Sequence, residues 1–224
     1  MSRRARIVLK TGVWLAALAP LAYLAGCVLT DNLGANPIDF VTDTLGDWTL
    51  RMLLASLAVT PLRLLTGQAW LVTLRRLLGL FAFAYAVMHF SVWVVLDFFF
   101  DWPLMAADIV KRPYITVGMT ALVLLTPLAL TSTAGMVKRL GARAWRRLHR
   151  LVYVAAILGV LHYLWLAKVG VKTPWVYAAI LALLLGIRIV AAVRRRASAP
   201  RAGASVEAAR ARWVKRRLED TRPR

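Results

Sequence analysis

The chain has 224 residues, 60% of them hydrophobic, and a mean hydropathy of +0.64. This composition is typical of an integral membrane protein and excludes an ordinary soluble domain. The net charge of +20 does not indicate a nucleic-acid-binding protein, because the basic residues cluster between and beyond the apolar segments, as topology signals do.

Six apolar segments approach the length of about 20 helical residues that a bilayer core requires. The segment 48–65 is the weakest, since Arg51 and Arg63 lie near its ends, where long side chains reach the interface. The sequence therefore predicts an all-α integral membrane protein, a six-helix transmembrane bundle within residues 1–193. The predicted spans are residues 11–30, 48–65, 77–96, 113–137, 151–167 and 173–193.

The first segment follows several arginines and has two interpretations. It is either an uncleaved helix or a signal peptide, and Leu24-Ala25-Gly26-Cys27 resembles a lipoprotein cleavage box. We favour the uncleaved helix, because the apolar run is long for a signal peptide and further spans follow.

The distribution of charge predicts that both termini are cytoplasmic. With this orientation, the cytoplasmic loops and tail carry most of the 30 basic residues. We expect an acidic outer loop over residues 31–47, and a basic tail over 194–224 that is disordered or lies on the anionic cytoplasmic leaflet. The aspartates on the outer side are Asp31, Asp39, Asp43, Asp47, Asp97, Asp101 and Asp108.

The chain has three histidines, and each lies in or beside an apolar segment. Histidine within a membrane is costly unless it has a function, and neutral imidazole is the usual protein ligand of heme iron. His89 lies 13 residues after Arg76, and His162 lies 13 residues after His149, about 20 Å of helical rise in each case. Because the third and fifth segments run parallel, we predict that His89 and His162 are axial ligands of one heme.

His149 is predicted to ligate or support a second redox centre near the cytoplasmic surface. It lacks a histidine partner, since Arg75 and Arg76 occupy the matching depth on the third segment. On one regular helix, His149 and His162 would lie about 140° apart. Both can face the bundle interior only if the helix is bent, bulged or frayed near His149, and otherwise His149 is a surface residue.

Three arginines are further candidates for cofactor binding. Arg51 and Arg112 are candidate partners for heme propionates, because guanidinium binds carboxylates bidentately, although interfacial anchoring is an equal alternative. Arg76 is the candidate at the cytoplasmic rim. Gly159, about one turn before His162, is expected to leave space for a flat macrocycle. Cys27 is the single cysteine, so a Cys-x-x-Cys-His attachment of heme is excluded.

Five stretches carry a resemblance to the MsrQ (YedZ) family, the heme-binding membrane subunits of bacterial periplasmic methionine-sulfoxide reductase systems. The resemblance covers about residues 10–190, and the wider relatives are ferric-reductase-like transmembrane cytochromes, which include NADPH oxidases. Those relatives usually carry two histidine pairs, whereas this chain lacks the fourth histidine and has no nucleotide-binding Gly-x-Gly-x-x-Gly segment. The five stretches are GANPIDF at 34–40, LRRLLG at 74–79, FFDW at 99–102, KRPYITVG at 111–118 and RRLHRLVY at 146–153.

The resemblance implies a multi-pass b-type cytochrome of the bacterial inner membrane, with one heme b or two. Electrons would come from the quinone pool or a cytoplasmic flavin reductase. They would pass to a periplasmic molybdopterin-containing catalytic subunit that reduces methionine sulfoxide in oxidised proteins. The chain itself would then be a non-catalytic electron-transfer subunit. The family is also associated with FMN, whose phosphate could meet basic residues at the cytoplasmic rim.

A rival hypothesis is a small membrane transporter or proton relay that uses the intramembrane histidines. It predicts no chromophore.

Overall fold

The computed structural model describes residues 2–168, 170–198 and 213. These residues are predominantly helical, and no strand occurs among them. A 3₁₀ turn, Ala69–Leu71, precedes the third α-helix, and a π-helical segment, Trp93–Asp97, continues it. The α-helices of the described ranges are α1 (Arg3–Leu29), α2 (Pro37–Thr66), α3 (Val72–Val92), α4 (Trp102–Lys111), α5 (Pro113–Leu130), α6 (Ala134–Leu148), α7 (Leu151–Leu166) and α8 (Thr173–Ala197).

Five of these elements are long and apolar enough to cross a membrane by themselves: α1, α2, α3 with its flanking turns, α5 and α8. A sixth candidate span is the pair formed by α6 and α7, which is bent by 44°. Because α6 is basic and α7 is apolar, α7 supplies the part of this pair that suits the bilayer core. The predicted all-α transmembrane bundle is confirmed, with five to six candidate spans.

The predicted span over residues 113–137 is wrong at its end. Helix α5 stops at Leu130, where the Thr131 hydroxyl donates to the carbonyl of Pro127 at 2.6 Å. Helix α6 then begins at Ala134, and the Thr133 side chain caps it by accepting from the backbone N–H of Met136 at 3.2 Å. Two threonines therefore divide a continuous uncharged run into a membrane helix and a separate amphipathic one.

The expected loop over residues 31–47 is also wrong beyond residue 36. The Asn36 side chain caps α2 by accepting from the backbone N–H of Asp39, and Pro37 occupies the first helical position. Three of the expected loop aspartates, Asp39, Asp43 and Asp47, therefore lie on the first turns of a helix.

Two helix pairs form the most extensive contacts of the bundle, α2 with α3 and α5 with α7. Contacts of α3 with α5 and of α2 with α7 join the two pairs. The start of α2 and the end of α3 lie at one end of the bundle, together with the aspartates of α2, and we name this the acidic end. The opposite end, with Arg63 on the last turn of α2, Arg75 on the first turn of α3 and the arginines of α6, is the basic end.

The chain divides into two compact units, residues 1–184 and 185–224. The second unit contains the last turns of α8, which end with Arg194, Arg195 and Arg196. Most of the predicted basic tail over 194–224 lies outside the described residues, which include only 194–198 and Trp213 of it.

Candidate functional site

The side chains of His89 on α3 and His162 on α7 meet at the acidic end. Their ring centroids are 6.2 Å apart, and the ring planes make an angle of 81°. Helices α3 and α7 belong to different pairs, so this contact lies between the two halves of the bundle. The structure thus brings together the two histidines that the depth argument paired.

A backbone carbonyl of the neighbouring helix holds each of these imidazoles. His89 Nδ1 lies 2.9 Å from the carbonyl oxygen of Thr42 on α2. His162 Nδ1 lies 2.7 Å from the carbonyl oxygen of Tyr114 on α5. Because a carbonyl only accepts hydrogen bonds, each Nδ1 carries the proton and each Nε2 keeps its lone pair. A histidine that donates from one ring nitrogen in this way has its other nitrogen oriented for a metal.

Two glycines that the sequence reasoning missed let the histidine rings lie against these helices. A Cβ at Gly46 on α2 would lie 3.1 Å from Cε1 of His89. A Cβ at Gly118 on α5 would lie 2.9 Å from Nδ1 of His162. Each glycine is four residues after the carbonyl that holds the ring, and therefore lies on the same helix face. Each ring thus occupies the place that a side chain would fill.

The two halves of the site repeat the same arrangement. The two glycines are 72 residues apart in the sequence, and the two histidines are 73 apart. Ala82 and Ala155, each seven residues before a histidine, are both 0% exposed. This spacing is the sequence signal that could have identified Gly46 and Gly118 as partners of the histidines.

The separation of the two rings suits a metal bound by both of them. Imidazole–metal bonds are roughly 2 Å long, so two bonds and half a ring on each side give a centroid distance of roughly 6 Å. In the part of the chain that the structure describes, no group of three His, Cys, Asp or Glu side chains could hold a metal ion. Two imidazoles therefore fit a metal whose other ligands are not protein side chains, as heme iron is held by four porphyrin nitrogens.

Comparison with known proteins agrees with this chemistry. The family model described as "Ferric reductase like transmembrane component" matches residues 45–160. Proteins named "Protein-methionine-sulfoxide reductase heme-binding subunit MsrQ" are similar over most of their length. The one from Herminiimonas arsenicoxydans is 53% identical over 84% of this chain and 88% of its own. The one from Rhodospirillum rubrum is 54% identical over 84% of this chain and 91% of its own. The one from Caulobacter vibrioides is 50% identical over 79% of this chain and 84% of its own.

The chain belongs to the MsrQ family. The match to the ferric-reductase-like model spans His89 and His149 and ends two residues before His162. The similarity to the MsrQ proteins covers about four-fifths of this chain, and the resemblance found in the sequence is confirmed.

The third histidine of this MsrQ family member lies at the basic end. His149 ends α6, and its Nε2 is 3.1 Å from the hydroxyl of Thr131. Its ring stacks on Trp145, with the centroids 3.8 Å apart. Burial lowers the pKa of His149, and the positive charge of Arg75 lowers it further. The 44° bend separates His149 from α7, so the angular conflict with His162 that one regular helix would create does not arise.

Arg51 takes part in a network that links α2 to α8. Its Nε donates to the hydroxyl of Tyr177 at 2.9 Å, and its guanidinium forms an ion pair with Asp47. The Tyr177 hydroxyl in turn donates to Asp47 at 2.9 Å, and the guanidinium lies 4.8 Å from the centre of the Trp48 ring. These contacts join α2 to α8, and a role of Arg51 in binding a heme propionate stays a prediction.

Tyr177→Phe is expected to loosen the attachment of α8. The substitution removes two hydrogen bonds to charged partners, and a single such bond contributes about 1.5–3 kcal/mol. At about 2–4 °C per kcal/mol for a chain of this size, the thermal unfolding midpoint should fall by several degrees. Tyr23→Phe is the matched control, because it removes only a weak hydrogen bond between an exposed hydroxyl on α1 and Cys27, and it should lower the midpoint much less. Equal midpoints for the two variants would show that the network does not stabilise α8.

The other candidate arginines lie at opposite ends of the bundle. Arg112 forms an ion pair with Asp108 at 3.0 Å and donates to the hydroxyl of Tyr114 at 3.3 Å. The Tyr114 ring lies 5.8 Å from that of His162, so Tyr114 separates Arg112 from the histidine pair. An open groove of about 280 Å³, lined by Pro113, Tyr114 and Trp165, adjoins it. Arg76 is exposed at the start of α3.

Gly159 lies where α7 faces α2. A Cβ at this position would lie 3.2 Å from Cδ2 of Leu50 on α2. The glycine therefore permits close packing of α7 against α2, and the space for a macrocycle stays a prediction.

Proposed function

We propose that the chain is an electron-transfer subunit that binds heme b between His89 and His162. The observation that carries this proposal is the pair of carbonyl-held imidazoles with centroids 6.2 Å apart. Membership of a family whose relatives are named heme-binding subunits supports it. When bound, heme iron supplies a one-electron redox couple.

The residues of this chain fix the position of that group and tune it. The carbonyls of Thr42 and Tyr114 set the tautomer of the two histidines and increase the basicity of each Nε2. Gly46 and Gly118 admit the rings between the helices. Arg112 is the proposed partner of a heme propionate, because its guanidinium lies next to Tyr114 at the bundle end nearest the histidine pair.

We further propose that the acidic end faces the periplasm and that both termini are cytoplasmic. The transmembrane domain would extend over 1–193, and the basic tail over 194–224 would lie on the cytoplasmic side of the bacterial inner membrane. The concentration of arginine and lysine at the basic end and in the tail supports this orientation. The histidine pair is then close to the periplasmic surface, where an electron must leave.

In this proposal, electrons enter from the quinone pool or a cytoplasmic flavin reductase. They leave for a periplasmic molybdopterin-containing subunit that repairs methionine sulfoxide in proteins. The names of the relatives, which refer to protein-methionine-sulfoxide reductase, support this partner. The aspartates at the start of α2 are a proposed part of its docking surface.

We propose a second redox group beside His149 at the basic end. If His149 ligates a second heme, the other axial ligand of that heme cannot be a histidine, because the chain has three histidines and the first heme uses His89 and His162. An FMN could instead use the aromatic face of Trp145, with Arg75 or Arg76 as a phosphate partner. Heme and flavin have different visible spectra, so one measurement distinguishes them.

The visible spectrum of the purified full-length protein tests the proposal. We expect a Soret band that sharpens on reduction with dithionite, and a pyridine-hemochrome assay that gives at least one heme per chain. A folded but colourless protein without heme would overturn the electron-transfer function. That result would favour the proton-relay alternative, which proton flux into proteoliposomes would then test.

A further inference from the structure

We propose that the indole N–H of Trp93 donates a hydrogen bond to a propionate of the heme held by His89 and His162. This inference rests on the proposed heme function and adds to it a propionate-binding residue outside the histidine pair.

The indole nitrogen of Trp93 is a buried donor without an acceptor. Its Nε1 is inaccessible to solvent and has no hydrogen-bond partner among the described residues. A buried polar group left without a partner costs about 1–3 kcal/mol, and native proteins satisfy nearly all of them. The ring is half-buried and lies between two phenylalanines, with centroids 5.8 Å from Phe90 and 5.2 Å from Phe98. The two phenylalanines limit where the N–H can point. The described residues supply no acceptor for it, so the acceptor is a group bound to the protein.

The position of Trp93 relative to His89 indicates what this acceptor is. Trp93 lies four residues after His89, on nearly the same helix face and one turn closer to the acidic end. Side chains on a helix lean toward the preceding turn, so the indole leans back toward the turn of His89. The donor thus lies between the histidine pair and the polar end of the bundle.

The backbone at this point departs from a regular α-helix. Trp93 begins the π-helical segment Trp93–Asp97, in which the N–H of Phe98 donates to the carbonyl of Trp93 at 3.2 Å. Single π-helical turns inside longer helices are frequent at functional sites. Here the turn directly follows the proposed ligand helix, and it fixes the ring of Phe98 against Trp93.

The chemistry of heme supplies the matching acceptor. Its two carboxylates lie on one edge of the macrocycle, and an unpaired carboxylate in an apolar interior is strongly unfavourable. This edge must therefore turn toward the nearer polar end, which for His89 and His162 is the acidic end. Aspartates there repel a carboxylate, so the propionates need donors, and Trp93 supplies a neutral one. Hydrogen bonds to carboxylate are about twice as strong as those between neutral groups.

The experiment compares Trp93→Phe with Trp102→Phe in the purified full-length protein. Trp102 is the matched control, since it lies near the acidic end with a side chain that is 64% exposed. Phenylalanine at 93 keeps an aromatic ring between Phe90 and Phe98 but removes the N–H. We expect heme transfer to apomyoglobin to be about tenfold faster for Trp93→Phe, the effect of losing one hydrogen bond to a charged group. The reduction potential should also fall, because a less compensated propionate charge stabilises ferric iron.

Reconstitution with heme dimethyl ester, which lacks the carboxylate charge, separates the propionate from other causes. The tenfold difference between Trp93→Phe and wild type should nearly vanish with the ester. Equal transfer rates for Trp93→Phe, Trp102→Phe and wild type with natural heme would overturn the inference, although the proposed function would stand. Wild-type protein that binds no heme would instead overturn the proposed function.

If Trp93→Phe does not fold, Arg112→Ala provides a test, because it removes the other proposed propionate donor and leaves Trp93 in place. The propionate bending band in its resonance Raman spectrum should shift in deuterium oxide and lose that shift with the ester. A band that is insensitive to deuterium would overturn the inference.

Discussion

Replacing His89 or His162 with alanine should remove most of the heme from the purified protein, to less than about a tenth of the wild-type content. Changes to residues that only orient a metal-ligating histidine already cost about 10–100-fold in affinity, and loss of the ligand itself should cost at least as much. Each ligand lies on a different helix pair, so either substitution removes one side of the site. The two single variants should therefore have similar effects.

Pyridine-hemochrome content per chain and the reduced visible spectrum measure this loss. His149→Ala is the matched control, because His149 lies at the opposite end of the bundle and contacts Thr131 and Trp145 instead. It should keep the spectrum of the histidine pair, and any component it loses belongs to a second centre. Added imidazole should restore part of the low-spin spectrum to His89→Ala. Full heme content in both His89→Ala and His162→Ala would show that these residues are not the ligands.

The pairing of His89 with His162 could be predicted because helical rise is uniform. Counting residues from the basic flanks of two parallel helices gives their depth without knowledge of packing. The same count placed His149 at the other end, where the structure has it. The sequence predicted a bend beside His149 only if His149 and His162 both face the bundle interior. Where the bend lies depends on how Trp145 and His149 pack against Thr131, which the sequence does not show.

Helix boundaries at the ends of the bundle were harder to predict. Charged residues in the first turns of α2 were interpreted as a loop, although Asp39, Asp43 and Asp47 have the spacing of four that is typical of one helix face. The run over 113–137 has no charge to mark its division. Capping by Thr131 and Thr133 decides it, and threonine is too common in membrane helices to be a reliable signal.

The glycines at the site could not be assigned from the sequence by local rules. Which glycine contacts a histidine depends on which helices are neighbours, and that follows from packing over more than 40 residues of sequence separation. Gly159 is the nearest glycine in sequence to His162, but it faces Leu50 on α2, and no histidine atom is among the neighbours of its Cβ position. The spacing between the two halves does identify the right glycines, because Gly46 and Gly118 are separated by nearly the same number of residues as His89 and His162.

Gly118→Ala should lower heme retention by at least about tenfold while leaving the fold intact. The added methyl would lie 2.9 Å from Nδ1 and 3.0 Å from Cε1 of His162, so the ring must move away from the carbonyl of Tyr114. Loss of such an orienting hydrogen bond costs about 10–100-fold in metal affinity. Alanine is favoured over glycine within a helix by about 1 kcal/mol, so the unliganded protein should be no less stable.

A series of glycine substitutions tests whether contact with the ring is the cause. Gly46→Ala should have a smaller effect, because its nearest approach to His89 is 3.1 Å and a small shift of the ring relieves it. Gly135→Ala is the control, since no described atom outside the local helix lies within 4 Å of its Cβ position. Heme content and thermal unfolding of the heme-free protein are measured for all three. Heme retention in Gly118→Ala equal to that in Gly135→Ala would show that α5 does not hold His162 in the heme-bound protein. We expect heme loss to be largest in Gly118→Ala, smaller in Gly46→Ala and absent in Gly135→Ala, with thermal stability unchanged in all three. That result would show that α5 and α2 position the two imidazoles through their contact with these glycines.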